Sequence, residues 1–151
     1  MNQFMEEAIR LSNLQDKGGP FGAVVVKDGK VIGAGRNEVL QSNDPTMHAE
    51  MVAIRNACKS IGDFKLTGCI LYTSCEPCPM CLSACYWSKI DTIYFGCTHD
   101  DAAAIGFDDA FIYEQLKLPL ESRGIPMFQT NRNEALKAFE AWMDNPNREM
   151  Y

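Results

Sequence analysis

The chain has 151 residues, 46% hydrophobic and 23% charged, which excludes a disordered or fibrous chain and suits a single globular domain spanning 1–151. A chain of that length buries about 68–70% of the surface it would expose unfolded, so disulfide staples are not required. Lys and Arg number 14 against 20 Asp and Glu, and the resulting net charge of −6 disfavours a partner held by phosphate contacts, nucleic acid included.

In chain order, Phe4, Ala8 and Leu11, with Met5 and Ile9 beside them, recur at helical spacing and predict a helix over 4–16, stopped by Lys17-Gly18-Gly19-Pro20. Two apolar runs, 21–26 and 31–35, flank Asp28-Gly29 and predict a hairpin. Asp44-Pro45 reads as an N-cap followed by the first helical residue. The helix it opens would bury Met51, Ile54, Cys58 and Ile61 and end at Gly62. Residues 69–73 predict a buried strand. A Cys/Pro-rich turn then leads into a helix through Leu82, Ala84, Cys85 and Tyr86, and residues 92–95 predict a further strand. Segment 98–125 mixes small residues, a turn at Gly106-Phe107-Asp108-Asp109 and an apolar run, Phe111-Ile112-Tyr113. Asn131 and Glu134 resemble a capping box for a last helix carrying Leu136, Phe139 and Met143 on one face. The order helix, hairpin, helix, strand, helix, strand describes an α/β fold with one mixed sheet covered by helices.

The seven cysteines form a poor disulfide framework, being odd in number with four of them between 75 and 85; they predict reduced thiols with a metal among them. Residues 1–7 are acidic where a secretory leader would be basic, and no run approaches the roughly 18 apolar residues of a membrane span. The expectation is a cytoplasmic protein with no membrane partner.

His48-Ala49-Glu50 and Pro77-Cys78-Pro79-Met80-Cys81 carry the chemistry. Two thiolates and an imidazole suit Zn2+, one per chain, and three protein ligands leave a fourth tetrahedral position for water, as in catalytic sites. With two thiolates and a neutral His the centre is formally neutral, so charge developing on a substrate needs another partner. Glu50 can supply it: in the first turn of a helix it can lie beside the metal without ligating it, positioned to move protons. A lone Cys-x-x-Cys is also found in redox and structural zinc modules. Such a module would recruit Cys75 or Cys85 as fourth ligand and leave Glu50 without a role. The complete set His-x-Glu … Pro-Cys-x-x-Cys is the signature of zinc-dependent nucleobase deaminases.

At these residues the sequence resembles the cytidine-deaminase-like superfamily, and more closely the small bacterial guanine deaminases. The resemblance runs through Gly19-Pro20-Phe21-Gly22-Ala23, the stretch from Ser42 to Glu50 and the stretch from Tyr72 to Cys81. The guanine deaminase branch is marked by Gly106-Phe107-Asp108-Asp109-Ala110-Phe111 and Tyr151. It implies a three-layer sandwich with a central five-stranded mixed sheet, and hydrolysis of guanine to xanthine and ammonia by a zinc-activated water, with Glu50 as proton shuttle. It further implies that Asp109 contacts the substrate amino group, that Asn37 hydrogen-bonds the base, and that Phe21, Ala49 and Trp87 line the pocket. In the family the C-terminal segment can cross to a partner subunit of a homodimer, where Tyr151 would close the neighbour's pocket. Taken without the resemblance, Asp109 and Asn37 read as turn residues, Phe21 as core and Tyr151 as a polar tail. Deamination of another base, cytosine or adenosine in tRNA, shares the same zinc motif. The acidic balance favours a free purine base.

Overall fold

A computed structural model describes residues 2–14 and 18–151. The chain divides into two compact units, Met1–Phe111 and Ile112–Tyr151. In the first, α1 (Gln3–Ser12) starts at Asn2, whose side chain accepts hydrogen bonds from the backbone of Phe4 and Met5. The helix ends at Ser12 with Asn13 as its C-cap, short of the predicted end at 16, and Gln15, Asp16 and Lys17 lie outside the described residues. The hairpin β1 (Gly22–Lys27) and β2 (Lys30–Arg36) forms as expected, with Asp28 and Gly29 both at positive φ, as a two-residue type I′ turn requires.

After the short α2 (Val39–Ser42) come α3 (Ala49–Ile61), β3 (Cys69–Cys75), α4 (Pro79–Trp87), β4 (Thr92–Cys97) and α5 (His99–Ala104). The sheet order is β2-β1-β3-β4, with β1 antiparallel to both neighbours and β3 parallel to β4. One face of β1, through Ala23 and Val25, packs with α3 and α4 residues including Ala53, Ala57 and Cys85. The other, through Val24 and Val26, packs with Tyr72 and with Phe4, Met5 and Leu11 of α1. That is the three-layer arrangement the sequence predicts, with one correction. The sheet has four strands among the described residues, not five, because the chain after β4 forms helices, turns and unpaired segments. The irregular stretch before α7 contains Gly124 and Pro126, which weaken or interrupt a ladder.

The buried face of α3 also differs from expectation. Ile54 is buried as expected and Cys58 and Ile61 pack, partly buried, against the same core, but Met51 is only partly buried and the closest contact is made by Ala49, Ala53 and Ala57, all fully buried. Gly33 and Gly35 of β2 explain this. A Cβ on Gly35 would sit 2.5 Å from the Ala49 carbonyl oxygen and 2.6 Å from the Ala53 nitrogen, so the helix lies directly on the strand backbone. Small residues on both partners therefore set how deeply the start of α3 enters the fold.

In the second unit, 3₁₀ turn Leu120–Ser122 and α7 (Arg132–Asp144) follow α6 (Ala110–Leu116), whose first two residues belong to the first unit. The predicted last helix is present without its capping box: Asn131 adopts a left-handed conformation and makes no side-chain cap. Among the described residues none from Ile112 to Tyr151 is buried, and Ile125, Phe128, Phe139 and Met150 are exposed.

Candidate active site

Two helix starts carry the metal-ligand set. His48 is the N-cap of α3 and Cys78 the N-cap of α4, with Pro79 at the first helical position fixing the entry of that helix. The expected cap at Asp44 is not one. Asp44 Oδ1 instead accepts from the Thr46 backbone at 2.8 Å and from its hydroxyl at 2.7 Å, closing a local turn that delays the helix to Ala49. The delay places Glu50 in the first turn, where the helix end itself faces the ligands.

His48 Nδ1 lies 3.6 Å from Cys78 Sγ and 3.6 Å from Cys81 Sγ. Zinc bonds of about 2.3 Å to sulfur and 2.0–2.1 Å to nitrogen at a tetrahedral angle would set each N···S pair about 3.6 Å apart. The donor set therefore matches zinc in both chemistry and spacing. His48, Cys78 and Cys81 are the one such group among the described residues, so Cys75 and Cys85 are not fourth ligands. Burial pushes those two thiols up, to about 11 and about 12. The seven cysteines are free thiols, but Cys97 is exposed rather than packed inside.

In the metal-free protein the three ligands share their protons. The Cys81 thiol and the His48 imidazole donate toward Cys78 sulfur and outweigh its burial, drawing the Cys78 pKa down to about 4. The same contact, with burial, drives Cys81 up, and the bond to Cys78 raises His48. Glu50 is 6% exposed; burial raises its pKa above the ordinary carboxylate value. Its Oε2 accepts from the Cys81 thiol at 3.5 Å, beside the ligand set and outside it.

Asn37 is 8% exposed just past β2, and its Oδ1 accepts from the Val39 backbone at 3.2 Å. The next residue, Glu38, donates its N–H to the Met47 carbonyl at 2.9 Å, which ties this turn to the residue before His48. Phe21 is partly buried against the core and meets Phe107 edge-on at 5.0 Å. Ala49 is fully buried, its methyl in the core. Trp87 ends α4, nine residues and so roughly 13 Å along the axis from Cys78; it is 63% exposed. Tyr151 is exposed in the second unit.

Asp109 was expected from the sequence, but its partner was not. Asp109 Oδ1 lies 2.9 Å from His99 Nδ1, and His99 Nε2 lies 3.2 Å from Glu76 Oε1. The available signal was small: His99 is one of two histidines in the chain, and Glu76 immediately precedes Pro77-Cys78.

An imidazole and two thiols at zinc spacing, with a buried carboxyl group alongside, define the site of a hydrolase that works through a metal-activated water. Residues 1–97 match the model of the cytidine and deoxycytidylate deaminase zinc-binding region. Guanine deaminase of Bacillus subtilis (strain 168) is 54% identical over 134 residues, 89% of this chain and 86% of its own. The crystal structure of the Bacillus subtilis guanine deaminase superposes over 100% of this chain and 99% of that chain, with a TM-score of 0.95 and 49% identity. A structure of the guanine deaminase from Nitrosomonas europaea matches 89% of this chain and 70% of that chain at 30% identity, with a TM-score of 0.67. The tRNA-specific adenosine deaminase of Aquifex aeolicus (strain VF5) is 45% identical over 76 residues, covering 50% of each chain. The chain belongs to the cytidine and deoxycytidylate deaminase zinc-binding family, within which it shares nearly its whole length with guanine deaminases. It is a zinc-binding deaminase.

Proposed function

We propose that the chain hydrolyses guanine to xanthine and ammonia. The observation that carries this reading is the extent of the likeness. Similarity to the Bacillus guanine deaminase runs through 89% of the chain, whereas that to the Aquifex tRNA deaminase covers half. The net charge of −6 also suits a free base better than a polyanion.

Zinc held by His48 Nδ1, Cys78 Sγ and Cys81 Sγ would supply a Lewis acid that lowers the pKa of a water toward neutrality. Beside those ligands Glu50 would carry the protons, taking one from the attacking water, passing it to a ring nitrogen of the base and later helping to protonate the departing amine. Burial suits it to this work, since a carboxyl group whose pKa is raised by desolvation takes up a proton more readily than an exposed one. Asp109 contacts the substrate amino group. Asn37 reads the base edge with one donor and one acceptor, and Phe21 and Trp87 wall the pocket. Because the Ala49 methyl is committed to the core, its contribution to binding is made by its backbone.

Both units form a single deaminase domain in a homodimer whose C-terminal segments are exchanged, so that Tyr151 closes the partner's pocket. Support comes from apolar surface that one chain leaves open. Tyr86, Trp87, Tyr94 and Phe95 are exposed in the first unit, and the second unit buries no residue of its own among the described residues. The free thiols fit a reducing, cytoplasmic location, and among the described residues no helix is long and apolar enough to cross a membrane. The test is to incubate purified protein with guanine and follow xanthine formation. Activity must appear, vanish with a chelator and return with zinc; inert zinc-loaded protein would sink the proposal.

A further inference from the structure

We propose that His99 is a positioning residue, which anchors to Glu76 and holds Asp109 with one carboxylate oxygen engaged and the other presented to the substrate. This rests on the substrate contact assigned above to Asp109. Asp109 ends a turn that begins with Gly106 at φ +98° and stands immediately before α6. The Gly106 and Phe107 N–H groups donate to the Ala103 and Ala102 carbonyls at 3.0 Å each, and Asp108 Oδ1 accepts from the Phe111 N–H at 3.3 Å. Two side-chain contacts tie the turn to the rest of the unit. Phe107 packs edge-on against Phe21 at 5.0 Å, and Asp109 Oδ1 lies 2.9 Å from His99 Nδ1.

His99 is itself clamped. Its backbone N–H donates to Glu76 Oε2 at 3.1 Å, while ring Nε2 lies 3.2 Å from Oε1 of the same carboxylate. Glu76 in turn donates its N–H to the Cys97 carbonyl at 2.8 Å, at the end of the paired strands β3 and β4. Only Pro77 separates Glu76 from Cys78. The chain Cys78–Glu76–His99–Asp109 thus fixes the carboxylate on a loop relative to a metal ligand on a helix start. A hydrogen on Nδ1 donates to the Asp109 carboxylate. All three side chains are partly buried, where hydrogen bonds to a carboxylate are stronger than in water. A carboxylate misplaced by an ångström loses much of its effect on a reacting group, so His99 acts on turnover through Asp109.

The experiment compares the zinc-loaded variants His99→Ala, His99→Asn, His99→Gln, Asp109→Asn and the double variant His99→Ala/Asp109→Asn, reading kcat, KM and zinc content with guanine. His99→Ala should keep zinc and lose about tenfold to a hundredfold in kcat/KM, mostly in kcat, as expected for one hydrogen bond to a charged group. Asn places a donor where Nδ1 was and should recover to within about threefold of wild type; Gln places it near Nε2 and should not. In the double variant, His99→Ala should cost less than about twofold beyond Asp109→Asn alone. Wild-type turnover in His99→Ala beside an impaired Asp109→Asn, or multiplying losses in the double variant, would overturn the role of His99. Full activity in Asp109→Asn would overturn the reading of Asp109 beneath it. If His99→Ala fails to fold or loses zinc, the Asn and Gln variants decide, and equal activity in the two counts against the proposal.

Discussion

Replacing Glu50 by Gln separates proton transfer from metal binding. Glu50 is a first-turn residue of α3, 6% exposed, with Oε2 3.5 Å from the Cys81 sulfur. Gln keeps the size and shape of the side chain, but it cannot take up a proton. Positioned proton transfer contributes typically about 10²–10⁴-fold, or about 2.7–5.4 kcal/mol of barrier. A loss of kcat in that range at unchanged zinc content is the expected result. The fold should not suffer. Burial raises the Glu50 pKa, so its ionisation opposes folding as pH climbs from the unfolded value near 4.5 through the raised folded one. The Gln variant has no such ionisation and should be at least as stable as wild type in the metal-free state at pH 7, by urea denaturation. Ammonia release for kcat, with metal analysis on the same samples, decides the matter. Turnover within about threefold of wild type, or loss of zinc with the substitution, would refute the assignment of Glu50 as a shuttle outside the ligand set.

Three other outcomes follow from the same structure. Gly35→Ala puts a methyl 2.5 Å from the Ala49 carbonyl oxygen and should cost about 1–3 kcal/mol in denaturant, with reduced turnover because Ala49 lies between His48 and Glu50; stability unchanged from wild type would contradict the close helix–strand approach. Zinc uptake by metal-free protein at pH 7 should release at least one proton, that of the Cys81 thiol, which is held well above its ordinary range and must ionise to ligate. Calorimetry in buffers of different ionisation enthalpy measures this, and no net release would refute the proton sharing. Deleting Tyr151 should lower activity far more than thermal stability; unchanged kinetics would remove it from the pocket.

The zinc set was legible because its chemistry is written in short local strings, His48-x-Glu50 and Cys78-x-x-Cys81. The hairpin was legible because Asp28-Gly29 demands positive φ at both positions. What failed depended on competition or distance. Asp44 satisfies its caps-like signature by bonding Thr46, a contest between turn and helix that residue type does not decide. Asn131 likewise opens a helix with its backbone in the left-handed region instead of by a capping box. The buried stripe of α3 was read from its large residues, whereas Gly33 and Gly35, on another element, select its alanines. The fifth strand came from the family resemblance and has no counterpart within one chain among the described residues. His99 and Glu76 escaped notice because 23 residues separate them, and only the meeting of α5 with the end of β3 gives them a common task.

The most direct test of the account is ammonia release by the zinc-loaded protein across guanine, adenine, cytosine, their nucleosides and tRNA, compared as kcat/KM. Guanine must lead every other substrate. A clear preference for cytosine, a nucleoside or tRNA would contradict the guanine assignment while leaving the zinc centre in place.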